Sequence, residues 1–450
     1  MALEEVDLIV IGSGQGGVPL AVDRAQKGQR VVLFERGELG GTCVNTGCTP
    51  SKTLLASAHN AGRARLAGPL GVHADVRVDQ RAVFERVRRV RADWNGGIAP
   101  KLEKAGVEIV RASAAFSGER TVRGGGRELR ATTVVIDTGA SAAVPPVEGL
   151  EGVPYLTNQT FFDQTELPKR LLVIGGGYIG LELGQGAQRL GSAVTIVHGQ
   201  AHVMDREEPD ASDCVRAGME RDGVVFKMSA QAKRVERAGE AIRLTLSTGE
   251  TVEGDGLLVA TGRTPNTKDL AADKTGVELA KNGSVAVDDY LRTTCPGIFA
   301  LGDVAGQPAF THVSWEDFRR IRSTLDGTPR KRDDRVLSYT TFTEPQLART
   351  GLTEADAKKK GMDARSVTLQ LSDTARGAEW DLELGFYRLV VDAKSDKMLG
   401  ATMVGYETGE LVHVIAFAIE LGATWRDLDA FVGIHPTFGE ALPSLARLLE

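Results

Sequence analysis

Cys43 and Cys48, five positions apart in GGTCVNTGCTPSK, are the residues of this chain best suited to redox chemistry. On an ideal helix that spacing gives ~7.5 Å of rise, slightly beyond the usual Cα separation of a disulfide, so the segment must bend for the sulfurs to meet. Gly47 and Pro50 supply freedom and restriction in the right places for a distorted first helical turn, which would bring the sulfurs together and keep the bond reducible. A helix N-terminus also lowers a thiol pKa. A structural metal clip or two inert thiols would use the same spacing, so the meaning of the pair depends on its setting. Toward the other end, GIHPTFGEALPSL offers His435 and Glu440, with proline and glycine between them to turn the carboxylate onto the imidazole. A histidine held in this way is a suitable proton donor near neutral pH, and a departing thiolate needs one.

The setting is a repeat. From Val6 to Arg36 the chain reads strand, glycine turn, helix, strand, and RLLVIGGGYIGLELGQGAQRLGSAVTIVHG has the same order. Both carry GxGxxG, at Gly12, Gly14, Gly17 and at Gly175, Gly177, Gly180, and each glycine lies 163 positions from its counterpart. Gly28 and Gly191, placed where each helix should stop with positive φ, differ by the same 163. After a strand and before a helix, such glycines allow the tight turn, let the backbone approach a pyrophosphate and let helix pack on strand. Two copies predict two dinucleotides, or one and a decayed copy. The residue that reads the adenosine ribose ends the second strand, ~20 residues beyond the last glycine. That residue is Glu35 in the first copy, followed by Arg36, and His198 in the second. An imidazole can donate to a 2′-phosphate that a carboxylate would repel, which favours NADPH over NADH as donor; a histidine that only caps the strand end would leave either nucleotide acceptable.

The 450 residues suggest about three domains at ~150 each. Four cysteines are too few and too unevenly spread for a secreted disulfide framework. The first residues run directly into an apolar strand without the pattern of a secretory signal, and no apolar run approaches the ~20 residues that span a bilayer, so a cytoplasmic protein is expected. The basic clusters RVRRVR and RKRDDR are interleaved with apolar or acidic residues; the first reads as the solvated face of a helix, and no nucleic-acid footprint is expected. Cys214 and Cys295 read as ordinary buried thiols, and no metal site is expected.

GSGQGG, GGTCVNTGCTPSK, GGGYIGLELG, ATGRTPN, GIFALGDVAG and IHPTFGE follow the order and spacing of the class I pyridine nucleotide-disulfide oxidoreductases, which the chain resembles over its whole length. The resemblance implies an α/β fold: two Rossmann-like dinucleotide-binding domains, for FAD and NAD(P), plus a C-terminal α+β dimerisation domain. The implied division is 1–145 and 267–335 for FAD, 146–266 for NAD(P)H and 336–450 for the interface, whose GFYRLVVDAKSDKMLGATMVG reads as two strands followed by a helix. It further implies that Cys43 is the interchange thiol facing substrate and Cys48 the thiolate beside the flavin, with Lys52 near the flavin and paired to Glu182. Asp303 would hold the ribitol, Gly302 would allow close approach, and Arg263 would lie near the flavin side. Tyr178 matches the aromatic residue that covers the nicotinamide pocket. The same resemblance extends the cofactor-binding set to Ser13, Gly16, Gly41, Thr42, Ala114, Thr138, Gly139, Ile179 and Gly262. His435 would reach the partner's cysteines, so a homodimer is implied.

Within that class GTCVNTGCTPSK is most similar to the mercuric reductase branch, yet this sequence carries neither GMTCxxC nor vicinal C-terminal cysteines to relay Hg(II). FTHVSWEDFRRIRSTLDG, where many members have a helix of small residues, resembles the reductases of the reactive-chlorine response, which act on small oxidised molecules such as hypothiocyanous acid. The expected activity is therefore transfer from NADPH through FAD and the cysteine pair to a small oxidised substrate. The alternatives are a metal ion as acceptor, a glutathione reductase or dihydrolipoamide dehydrogenase activity, or a thiol redox sensor or metal-holding flavoprotein.

Overall fold

The computed structural model describes residues 3–450. Its first sheet forms because VDLIVI and VVLF are apolar on both faces: Leu8 to Ile11 are all buried, as is the whole strand Val31–Phe34. Strands buried on both sides suit a parallel sheet covered by helices. The parallel order runs Glu108–Val110, Val31–Phe34, Leu3–Ile11, Arg127–Ile136, Ile298–Ala300, with Ile9 opposite Val32 and Val10 opposite Val135. Its last strand returns from far along the chain, after the second unit is complete.

That second unit is a parallel sheet in the order Val225–Lys227, Ala193–Val197, Arg170–Ile174, Gly256–Val259. The helix Tyr178–Arg189 follows its glycine turn as Gly17–Gln26 follows the first. The repeat holds at the level of single atoms. Gly12 has φ +104° and a Cβ there would lie 2.2 Å from Asp137 O; Gly175 has φ +117° and a Cβ there would lie 2.3 Å from Ala260 O. The crossing strand presses on the turn identically in both units, so conformation and space each exclude a side chain. A two-stranded link, Ala140–Ala142 with Arg263–Pro265, ties the units together.

The C-terminal domain is a five-stranded antiparallel sheet ordered Ser338–Thr341, Gln346–Gly351, Met398–Gly405, Phe386–Asp392, Ala364–Gln370. As the sequence implied, Phe386–Asp392 and Met398–Gly405 pair, and the helix Thr408–Glu420 follows them. Leu389, Val391, Met403, Ile415, Leu442 and Leu445 are fully buried between sheet and helices, each stabilising by ~1.5–3 kcal/mol relative to exposure. The same domain leaves Phe417, Leu421, Val432 and Ile434 exposed. RVRRVR lies on the helix Gln80–Gly96, but only part of it is a solvated face: Arg86 donates to Thr53 O at 2.7 Å and Arg88 to Gln164 O at 3.0 Å. Among the described residues no helix is long and apolar enough to cross a membrane.

Candidate active site

The bend that the cysteine spacing demands is a break between two helices, where the sequence suggested one distorted turn. Gly41–Asn45 carries Cys43 and ends at Thr46; after Gly47 a second helix, Cys48–Arg65, begins on Cys48 itself. A Cβ on Gly47 would lie 2.9 Å from Thr42 O, so the two helices approach more closely than another residue permits. Pro50 sits in the first turn of the second helix, where its missing N–H costs no hydrogen bond. Both cysteines are half-buried, and each thiol shifts the pKa of the other.

The two thiols are not equivalent. The hydrogen bond from Cys43, outweighing burial and aided by Thr311 and the Lys52 cation, brings the Cys48 thiol down to about 6. The same hydrogen bond, with burial, drives the Cys43 thiol upward. The pair therefore favours the thiolate on Cys48, at the positive end of its helix, over the thiolate on Cys43. Thr311 Oγ1, at the start of the helix Thr311–Leu325, lies 3.0 Å from Cys48 Sγ. Lys52, one turn after Cys48, places Nζ 2.6 Å from Glu182 Oε2 and 4.4 Å from the centroid of the Phe342 ring. The other Glu182 oxygen accepts the Phe342 N–H at 3.0 Å. Cysteine helix, second glycine helix and C-terminal domain therefore meet around this one cation.

The sulfurs open into a cleft of about 2180 Å³ that both glycine turns also line, against ~300–1,000 Å³ for a site holding one drug-sized ligand. On the first unit's side Ser13 donates to Glu35 Oε2 through both its N–H (3.0 Å) and its hydroxyl (2.6 Å), which fixes the carboxylate at the strand end. Arg36, beside it, is exposed and 3.4 Å from Asp269. Gly12, Gly14 and Gly41 line the cleft, and a Cβ on Gly41 would lie 3.1 Å from Gly14 Cα. Thr42, Ala114, Thr138 and Gly139 line it too, with Thr138 donating to Asn266 O at 2.8 Å. Asp303 accepts from Arg263 Nε at 3.0 Å, so this arginine is a partnered group and not a free turn cation. The paired carboxylate, the glycine turn and the helix behind it fit a dinucleotide with its pyrophosphate on the turn.

On the second unit's side Gly175, Gly177, Ile179, Tyr178, His198 and Gly262 line the cleft. Nothing lies within 4 Å of where a Cβ on Gly177 would be, which leaves the backbone there open to a phosphate. Tyr178 is half-buried; its hydroxyl donates to Glu207 at 2.5 Å and its ring packs against Phe310 and Tyr339. His198 corrects one expectation. Its Nδ1 accepts the Gly176 N–H at 3.1 Å, burial lowers its pKa, and its Nε2 is buried, so the ring is neutral and brings no positive charge to a phosphate.

Four other sequence-selected glycines do not face the cleft. A Cβ on Gly16 would lie 2.4 Å from the Leu301 side chain, on Gly17 2.6 Å from Asp137 Oδ2, on Gly180 2.0 Å from Gly175 O, and on Gly302 3.1 Å from Ser314 Oγ. They are packing positions that let helix and strand touch. His435 Nδ1 does lie 2.8 Å from Glu440 Oε2, but the histidine side chain is 72 % exposed and neither residue lines the cleft. The chain builds this pair and does not bring it to its own sulfurs. Cys295 is buried and Cys214 only half-buried; burial raises both thiols, Cys214 to about 11. Sequence reasoning missed Thr311, Phe342, Glu207 and Asp137. The first three come from distant segments without a local signature, whereas Asp137 shows when VVIDTGA is set against its repeat counterpart LLVATGR.

Residues 6–317 match the family described as pyridine nucleotide-disulphide oxidoreductase, and residues 337–446 its dimerisation domain. The chain is 34% identical over 453 residues to a mercuric reductase of Lysinibacillus sphaericus, covering 99% of this chain and 83% of that protein. It is 33% identical over 460 residues to a dihydrolipoyl dehydrogenase of Thermus scotoductus, covering 100% and 98%. Among solved structures, the HOCl-induced flavoprotein disulfide reductase RclA from Escherichia coli superposes with a TM-score of 0.89 at 29% identity, covering 99% of this chain and 100% of that one.

Proposed function

We propose, from the premise that this chain belongs to the pyridine nucleotide-disulphide oxidoreductase family, that it passes electrons from NADPH through FAD to Cys43 and Cys48 and on to a small oxidised substrate. Membership makes it an FAD-dependent enzyme of the disulfide oxidoreductase type with NAD(P)H as donor, and its dimerisation domain supports a homodimer. One observation carries the finer reading: Cys43, Cys48 and the Lys52 cation line the same cleft as both glycine turns.

FAD, when bound, supplies the two-electron relay between nucleotide and sulfur. The first glycine turn and Glu35 would hold its pyrophosphate and ribose, and Asp303 its ribitol. Lys52, oriented by Glu182, puts positive charge where negative charge develops. Cys43 gives its proton to His435 of the partner subunit, held by Glu440, and as a thiolate attacks the electron-poor atom of the substrate; the leaving group it expels takes that proton back from the histidine. Cys48 then attacks the Cys43 sulfur, closing the disulfide and releasing the product two electrons richer. The intact His435 and Glu440 pair favours turnover over a sensor, because storage needs no acid. The exposed Phe417, Leu421, Val432 and Ile434 are an apolar surface of the kind a second copy covers.

For substrate we favour an oxidant of the hypothiocyanous acid type, with a metal ion next. A dihydrolipoyl dehydrogenase activity is the second reading, because that relative stands at nearly the identity of the mercuric reductase. NADPH is preferred on different grounds from those of the sequence: Arg206 and Lys233 line the cleft with the neutral His198 and can meet a 2′-phosphate. The low cysteine count fits work in the cytoplasm. The test is a panel of glutathione disulfide, lipoamide, Hg(II), Cu(II) and hypothiocyanous acid, each with NADPH and with NADH. A tenfold preference for NADH, or lipoamide as the best acceptor, would replace this reading with the dehydrogenase one.

A further inference from the structure

The two glycine units set the same turn on the same crossing strand, yet the strand brings a carboxylate to one turn and a methyl group to the other. The residue behind Gly12 is Asp137, and the residue behind Gly175 is Ala260. Asp137 is buried, and its Oδ2 accepts the N–H of Gly17, the first residue of the following helix, at 2.7 Å. A Cβ on Gly14 would lie 2.7 Å from that oxygen and one on Gly17 2.6 Å, so the carboxyl is the floor beneath the turn. In a dinucleotide unit this is the seat of the pyrophosphate, where free N–H groups and the positive end of the helix face an anion. The helix has no capping side chain of its own, and Asp137 supplies that acceptor from across the sheet.

The seat is crowded with negative charge. Glu35 and Asp303 both act on Asp137 through their charge, and Asp303 is partnered by Arg263 at 3.0 Å. Burial, reinforced by those two carboxylates, pushes the Asp137 carboxyl well above the usual range, against the pull of the Gly17 and Gly14 N–H groups. A pyrophosphate adds two further negative charges at the same place.

Resting on the reading that the first unit holds FAD, we propose that Asp137 couples flavin retention to protons: an ionised Asp137 and the pyrophosphate do not share the turn, so flavin binding takes up a proton. The sign follows from linkage. Below the pKa of Asp137 in the flavin-free protein, affinity does not vary with pH; above it, each pH unit weakens retention by up to about tenfold, because a proton must be recovered on binding. Asp137→Asn keeps an acceptor for Gly17 and removes the charge. Asp137→Ala reproduces the second unit.

The holoenzyme is diluted across about pH 6 to 9 and released flavin read by its fluorescence, with proton uptake on rebinding measured by calorimetry in two buffers of different ionisation enthalpy. The wild type should release more flavin as pH rises and take up a proton on rebinding; both variants should show a flat profile with no uptake, and the asparagine form should hold flavin more tightly at the alkaline end. A flat wild-type profile, or an asparagine variant with the wild-type slope, would overturn the proposal. So would loss of flavin from both variants at every pH, which would make the carboxylate an aid to binding. Wild-type protein that carries no flavin would sink the underlying reading, and this one with it.

Discussion

Removing the Thr311 hydroxyl should raise the Cys48 thiol without disturbing the fold around it. The fall of that thiol from an ordinary 9.0 to about 6 corresponds to ~4 kcal/mol in favour of the thiolate. The Cys43 hydrogen bond, the Thr311 hydroxyl and the Lys52 charge supply it against burial. A hydrogen bond to a charged acceptor is worth ~1.5–3 kcal/mol, or about one to two pH units, so Thr311→Ala should move the midpoint from about 6 to about 7–8. At pH 7 the thiolate fraction would fall from about 90% to about 10–50%, and the rate of any step that uses it should fall in proportion. The assay is iodoacetamide alkylation against pH in a Cys43→Ser background, where the serine hydroxyl still donates to the remaining sulfur. Cys214, at about 11, and Cys295, also raised, stay protonated across the working range, so one sulfur reports. Thr311→Ser should retain the low midpoint. A parent midpoint near 9, or a Thr311→Ala midpoint equal to the parent's, would refute the assignment of the charge to Cys48 and of the hydrogen bond to Thr311.

Two glycines of the second turn should separate binding from folding. Gly177→Ala meets no protein atom, so its melting temperature should match the wild type while nicotinamide nucleotide affinity drops; Gly180→Ala drives a methyl to within 2.0 Å of Gly175 O and should lose ~1–3 kcal/mol of stability, measured by urea unfolding. Cys43→Ser and His435→Ala homodimers should each be inactive toward substrate. Mixed by refolding, they should recover about a quarter of wild-type activity, since half the dimers then hold one complete site; no recovery would mean that the histidine serves its own subunit.

The sequence alone determined the two glycine units, the cysteine pair, the His435 and Glu440 pair and the family. Each of these is written within a few neighbouring residues or in a constant spacing along the chain: a turn needs glycine where φ is positive, and a strand buried on both faces needs an apolar run. It also placed the strands Phe386–Asp392 and Met398–Gly405. What only the tertiary structure decided depends on sums over groups from separate segments. Thr311 stands 263 residues from the sulfur it touches. His198 is neutral because burial lowers its pKa and a backbone N–H occupies its Nδ1, and neither can be read from its position at a strand end. Gly16, Gly17, Gly180 and Gly302 share motifs with glycines that line the cleft, and only the folded packing tells the two sets apart. The carboxylate of Asp137 acquires its meaning only when the crossing strand sets it beneath the turn, because desolvation and Coulomb interaction act through space and leave no period in the chain.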